Sequence, residues 1–312
     1  MILNLLPNPA LDKTVVVEGF ETGKIHRPGE ALILAGGKGF NFARSLKNLG
    51  VDSLVVAPLG GLLGNYLLEL AKTDSLTCDP QPVKAELRTC LTIIDPAAQY
   101  RLTELYEKGK PLEETEWANL ISRTISHFSE AQFLTISGSF PPGVPESGLV
   151  ALLQEANRIN LPVLIDSYGI QVKRVFNLVP ALLKINQHEA AELTGLRVNK
   201  PSEAIQAARN LQKQGIAQVV ITLGKLGAVG LTAQGESFSW ASPPVTPVVS
   251  AVGSGDALFA GIAMGLAKGW YLPEALRWGV AAGAANTLQI GAGRFELQQV
   301  KRLLPSSPIG DA

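Results

Sequence analysis

The sequence predicts an α/β fold, with a mostly parallel central sheet wrapped by helices and a small β lid beside it. Three observations predict it. From residue 53 onward, short apolar runs alternate with segments of helical period, the signature of parallel strands joined by crossover helices. Several runs, such as Phe133-Leu134-Thr135-Ile136 and Val219-Val220-Ile221, are apolar at nearly every position, as strands covered on both faces are. Two pairs of strand-like runs follow one another with no helix between them, which suggests a separate flap.

Taken in order, 2–6 is a short apolar strand stopped by Pro7-Asn8-Pro9. Asp12 follows at once, at a strand end, where α/β proteins place ligand-contacting groups; a turn aspartate bonding its own backbone is the competing reading. Strands at 14–18 and 30–34 flank a polar turn. Next, Ala35-Gly36-Gly37-Lys38-Gly39 feeds a helix with Ala43, Leu46 and Leu49 on one face and Gly50 at its end. Strand 53–57 and helix 63–72 come next, then adjacent strands at 88–94 and 100–105. Helix 114–128, strand 133–137, helix 145–159 and strand 162–166 continue the alternation. Strands 181–185 and 218–223 follow, with helices 187–193 and 201–214 between them, and helices 256–266 and 273–288 complete the chain. The expectation is one domain over 1–312, its lid formed by about 13–35 and 86–107.

Composition narrows the function. The 312 residues are 46% hydrophobic and 17% charged, with 27 basic and 27 acidic side chains. That balance, without a basic run, argues against nucleic acid or an anionic membrane as partner. Cys78 and Cys90 cannot build a disulfide framework, and His26, His127 and His188 have no zinc spacing. The N-terminus lacks the features of a signal peptide, and no apolar stretch approaches a membrane span. A soluble cytoplasmic protein is expected.

Any anion site must therefore be local, and two glycine turns offer one. Ser250-Ala251-Val252-Gly253-Ser254-Gly255-Asp256 opens the buried helix 256–266. Such a turn points bare N–H groups and the positive end of a helix dipole at one spot. Asp256 stands at its lip, either as a helix cap or as a base for an incoming hydroxyl. A dinucleotide fingerprint is the weaker third reading, because Leu258 stands where its third glycine belongs. In the earlier turn, Lys38 offers a point charge and Asn41 both a donor and an acceptor, a set suited to a phosphorylated sugar. A tight turn with a solvated lysine is the alternative, and Walker A spacing is absent. Strands also end in Ser137-Gly138-Ser139, Lys184-Ile185-Asn186 and Thr222-Leu223-Gly224. Ligands gather at such strand ends in open parallel sheets.

With these residues laid out, the chain resembles the PfkB (ribokinase-like) carbohydrate kinases along nearly its whole length. Gly36-Gly37-Lys38-Gly39-Phe40-Asn41-Phe42-Ala43-Arg44 and Val252-Gly253-Ser254-Gly255-Asp256 carry the resemblance. Asn8-Pro9-Ala10-Leu11-Asp12 and Ser137-Gly138-Ser139-Phe140-Pro141-Pro142-Gly143 look like its hexose-phosphate branch, of the tagatose-6-phosphate kinase and 1-phosphofructokinase type. The resemblance implies a three-layer αβα sandwich, ATP, Mg²⁺ and a ketohexose monophosphate as acceptor. It implies Asp256 as catalytic base, with the amides from Val252 through Gly253 and Ser254 to Gly255 as anion hole. Asp12, Gly37 and Asn41 would hold sugar hydroxyls; Lys38, Arg88 and Ser139 would lie on the substrate side, with Lys38 and Arg88 on its phosphate. Lys184, Asn186, Thr222, Gly224, Gly227 and Asn286 would line the nucleotide, and Glu189 would reach Mg²⁺ through water. Ser250 and Val252 lie where some relatives bind a monovalent cation, K⁺, and relatives often pair through the lid. Pro7, Ala251, Phe40 and Phe42 depart from the family pattern, which bears on sugar preference. A kinase of an unphosphorylated sugar or nucleoside, and a non-catalytic sugar-phosphate sensor, are the competing readings.

Overall fold

The computed structural model describes residues 1–167 and 169–306. Among these residues thirteen strands form two sheets. In chain order they are β1 (Ile2–Leu5), β2 (Ala10–Val16), β3 (Ala31–Gly36), β4 (Ser53–Leu59), β5 (Thr77–Pro82), β6 (Arg88–Asp95) and β7 (Arg101–Tyr106). There follow β8 (Phe133–Ser137), β9 (Val163–Asp166), β10 (Leu182–Asn186), β11 (Val219–Thr222), β12 (Ala228–Leu231) and β13 (Ser237–Trp240). The large sheet runs β13-β12-β11-β10-β9-β8-β1-β4-β5 and is parallel from β11 to β5. The small sheet runs β3-β2-β6-β7, with only β2 and β6 parallel.

Among the described residues ten helices flank the large sheet. They are α1 (Lys38–Asn48), α2 (Gly61–Thr73), α3 (Glu114–Ser126), α4 (Glu146–Arg158) and α5 (Ile170–Lys173). The remainder are α6 (Gln187–Thr194), α7 (Pro201–Lys213), α8 (Ser254–Ala267), α9 (Leu272–Asn286) and α10 (Leu297–Arg302). Side chains alternate strictly across the sheet. Leu3, Leu134, Ile165, Leu183 and Ile221 pack with α3, α4, α6 and α7 in one core. Ile2, Phe133, Leu164, Leu182 and Val220 pack with α1, α8 and α9 in the other. Both faces are thus dry, the reason the strands read as continuous apolar runs. Helix α8 is buried nearly all round and lies directly on α9: a Cβ on Gly261 would stand 2.6 Å from the Gly279 Cα.

The three-layer expectation holds. Four strands depart from the expected elements. β5 contains Pro80 and Pro82, and it sits at the sheet edge where a missing N–H is tolerated. β12 and β13 extend the opposite edge antiparallel, each four residues long, too short for a periodic signal. β2 starts at Ala10 rather than 14, so Asp12 lies inside the small sheet rather than at the end of a main-sheet strand. Among the described residues no helix is long and apolar enough to cross a membrane.

Candidate active site

The carboxyl ends of β8, β10 and β11 open with the small sheet onto one cavity of about 900 Å³. The starts of α1 and α8 point into it. Each follows a glycine in left-handed backbone, Gly37 (φ 82°) and Gly253 (φ 79°), where other residues are strained. Asp256 is the third residue of α8 and makes no capping hydrogen bond. Its Oδ2 instead accepts from Asn41 Nδ2 at 3.0 Å. That contact joins two motifs 215 positions apart and disfavours the capping reading.

The Asn41 amide lowers the Asp12 pKa slightly, and the Gly37 N–H donates to Asp12 Oδ2 at 3.3 Å. Gly36 is required for this: a Cβ there would fall 2.0 Å from the Asp12 carboxyl carbon. Burial pushes the Asp12 carboxyl up to about 6, against the Gly37 N–H and the Arg44 and Arg88 charges. Burial, reinforced by the neighbouring Asp166 carboxylate, pushes Asp256 up to about 7, while Lys38, Lys184 and Asn41 pull it back. A buried carboxyl near neutrality suits proton transfer at physiological pH.

Asp166, at the end of β9, is the centre of the charges. Lys38 Nζ lies 2.9 Å from its Oδ1, and Lys184 Nζ 2.9 Å from its Oδ2. Lys38 Nζ is also 3.8 Å from Glu189 Oε1. Burial works against ionising Asp166, but the two ammonium groups outweigh it and hold its pKa below the usual carboxylate range. Burial likewise lowers the Lys38 pKa, and Asp166, Glu189 and Asp256 more than reverse that. Lys38 and Lys184 share Asp166, with Glu189 and Asp256 also near Lys38, so charges of both signs meet at the cavity floor, and the two ammonium groups are the cations an anion there would meet. Asp166 escaped the sequence reading although strand 162–166 was placed; its signal was a carboxylate closing an apolar strand, with no glycine turn to mark it.

The cavity also gathers Ser139, Asn186, Thr222, Gly224, Val252 and Gly255. Ser139 Oγ accepts from Asn8 Nδ2 at 3.0 Å. Asn186 and Glu189 form a capping box on α6: Asn186 Oδ1 accepts from the Glu189 N–H, and Glu189 Oε2 from the Asn186 N–H. Arg88 donates to the carbonyls of Asn8, Pro9 and Glu107, so its charge is fixed at the wall. Tyr106 and Glu104 of β7 and Cys90 of β6 complete that wall. Burial, with Asp12 nearby, pushes the Cys90 thiol up to about 12, so it is not a nucleophile.

Two expectations need correction. The anion hole is smaller than expected: the Val252 N–H donates to Ser250 Oγ and the Ser254 N–H to the Ala251 carbonyl. The Gly253 and Gly255 N–H groups have no acceptor among the described residues, as a waiting anion site requires. Asn286, expected to line the nucleotide, does not line the cavity; it is fully buried. Its Nδ2 donates to the Val252 carbonyl and Ser254 Oγ, and its Oδ1 accepts from the Gly293 N–H. Asn286 is therefore a positioning residue beneath the anion turn. Asn286→Ala should lower stability by about 1–3 kcal/mol through stranded polar groups, read from a urea unfolding curve. Lys38 is not the solvated lysine of a simple tight turn: it lines the cavity, paired with Asp166 and near Glu189.

A second cavity, of about 590 Å³, adjoins the first through Thr222, Gly224, Lys225 and Gly255. Its lining is largely apolar and includes Gly227, Val245, Val248, Leu258, Val280 and Ala284, with Ser254 at its edge. A flat heterocycle fits such a slot. Ser250 and Val252 share a small void with Asp12 and Gly291 instead.

A family model described as pfkB family carbohydrate kinase matches residues 8–299. The 1-phosphofructokinase of Borreliella burgdorferi is 29% identical over 313 residues, which cover 100% of this chain and 99% of that protein. The tagatose-6-phosphate kinase of Staphylococcus epidermidis is 30% identical, over 95% of this chain and 94% of that one. Phosphofructokinase-2 from Escherichia coli, solved with fructose-6-phosphate, superimposes with a TM-score of 0.86 at 27% identity, over 97% of each chain. Its structure with potassium gives 0.87 at the same identity and coverage.

Proposed function

This chain belongs to the pfkB family of carbohydrate kinases, phosphotransferases acting on a sugar hydroxyl, and we propose that its acceptor is a ketohexose monophosphate. The observation that carries the mechanism is the Asn41–Asp256 contact, which brings the two glycine turns together beside the Lys38 and Lys184 ammonium groups. Asp256 takes the proton of the acceptor hydroxyl. The hydroxyl oxygen bonds to the γ-phosphorus of ATP as the bond from that phosphorus to the β–γ bridging oxygen breaks, and ADP leaves. The Gly253 and Gly255 N–H groups and Lys38 meet the charge on the transferring group, where fixed donors act most strongly. Asp12, Gly37 and Asn41 hold the sugar hydroxyls, and Arg88 with Ser139 receives the phosphate the sugar already carries. The nucleobase takes the apolar slot.

Glu189 lines the cavity, and its carboxylate would hold Mg²⁺ through water, the phosphates completing the oxygen shell the ion prefers. Bound there, the ion would neutralise phosphate charge. The Val252 carbonyl carries one hydrogen bond, from Asn286, and its second lone pair with Ser250 Oγ suits a K⁺ ion. The small sheet leaves Val16, Leu105 and Tyr106 exposed, and we assign that surface to pairing with a second copy. The thiols of Cys78 and Cys90 are free, in keeping with a reducing cytoplasm.

One assay tests the substrate: ADP release with fructose 1-phosphate, tagatose 6-phosphate, fructose 6-phosphate, ribose and adenosine. A sugar phosphate should be preferred, and Arg88→Ala should raise its KM by ~10–100-fold with kcat nearly kept, the effect of one charge-assisted contact. Equal turnover of ribose or adenosine would transfer the reading to an unphosphorylated acceptor, and binding without ADP release would point to a sensor.

A further inference from the structure

We propose that Arg44 is a positioning residue for phosphoryl transfer, fixing the Asn41 amide so that its NH₂ end faces the carboxylate of Asp256. The proposal rests on Asp256 being the base and deepens that reading. Arg44 lies on α1, one turn beyond Asn41, and is almost wholly buried. Its guanidinium reaches four segments at once. Nε donates to Asp74 Oδ2 at 2.8 Å, Nη2 to the Ala35 carbonyl at 2.7 Å, and Nη1 to the Ala292 carbonyl at 3.1 Å and Asn41 Oδ1 at 3.4 Å.

An asparagine amide has two ends of nearly equal size and opposite polarity. Rotated by half a turn, Asn41 would set its oxygen against Asp256 Oδ2 and its NH₂ against a guanidinium that has no acceptor. The Arg44 cation therefore selects one orientation. In that orientation Asp256 Oδ2 is occupied by Asn41, and Oδ1 has no hydrogen-bond partner among the described residues, ready for the acceptor's hydroxyl. Only a planar fork can serve these acceptors together; a lysine ammonium cannot. Ala292 adds a second route to the reacting groups. Its Cβ backs the anion turn so closely that a Cβ on Gly253 would fall 2.3 Å from it. The groups facing Asp256 are Asn41 and Lys38 from α1, Asp166 from β9 and Lys184 from β10. Asp12 on β2, with Arg88 from β6, faces the other side of Asn41.

A double-mutant cycle tests this with wild type, Arg44→Lys, Asn41→Ala and the double variant, using ATP and whichever of the three sugar phosphates wild type turns over fastest. Arg44→Lys should lower kcat by ~10²-fold, the usual result of misplacing a catalytic group by about 1 Å, with little change in KM. The acid limb of its kcat/KM profile should move to higher pH, because Asp256 loses a donor that favours its charged form. In the Asn41→Ala background the same change should have almost no further effect. Asp74→Asn, which removes a guanidinium partner remote from the cavity, should keep wild-type kcat and pH profile. Wild-type kcat and acid limb in Arg44→Lys, or an equal loss in both backgrounds, would overturn the proposal. If Arg44→Lys gives no cooperative melt, Arg44→Gln replaces it in the cycle. Asp256→Asn in the same assay separates the two ideas: full activity there refutes the base, while an inactive Asp256→Asn with an additive cycle refutes only the role of Arg44.

Discussion

Asp256→Asn should bind both substrates and turn over ~10²–10⁴-fold more slowly, the usual contribution of general-base catalysis. The substitution is nearly isosteric and keeps an oxygen for the Asn41 N–H, so KM for both substrates should move little. Its pH behaviour separates a chemical role from a structural one. With its pKa pushed up to about 7, wild-type Asp256 is half protonated near neutrality, so kcat/KM should climb with pH and level off above that point. The variant should lose that limb. Stability runs the opposite way. A carboxyl whose folded pKa is raised binds more protons folded than unfolded between about pH 4 and pH 7, so folding weakens as pH rises through that window. Asp256→Asn removes the slope, and it should melt above wild type at pH 8 and alongside it in acid. Near-normal turnover, or a melting gap that does not depend on pH, would take Asp256 out of the mechanism.

Asp166→Ala should be the most damaging change to the fold. It leaves the Lys184 ammonium buried and unpaired, and Lys38 loses its nearest carboxylate. Breaking a buried ion pair from one side costs about 3–5 kcal/mol, a large part of the total stability of a typical domain. Urea unfolding at neutral pH would show the loss as a lower midpoint. The sign with pH follows from the lowered pKa of Asp166: its stabilisation is complete above the unfolded carboxylate value of about 4 and fades as pH falls through the folded one. Wild type and variant should therefore converge in acid. Lys184→Met in the Asp166→Ala background removes the stranded charge and should restore part of the stability. If it restores none, the destabilisation comes from lost packing and not from the unpaired ammonium.

The sequence made the layered sheet legible because each strand from β8 to β11 is apolar on both faces, and no helix period competes with that. Gly37, Lys38, Asn41, Gly253 and Asp256 were legible for a different reason: glycine turns before helices expose backbone, and little else does. What stayed hidden has no local mark. Asp166 looks like any polar residue ending a strand until two lysines from α1 and β10 close on it. Asn286 could be placed on the right helix but not on the right face, because its partners Val252 and Gly293 lie 34 and 7 positions away. The prolines of β5 concealed a strand that only its edge position permits.

The bend at 291–293 has a temporal consequence. Arg44 and Asn48 close on the carbonyls of Ala292 and Gly293, 248 and 245 positions further along. Asn41 must likewise wait for Asp256. A growing polypeptide on the ribosome can lay down most of its sheet, yet its reactive centre stays in halves until this bend emerges. A messenger cut short before the bend therefore yields a product whose reactive centre is incomplete.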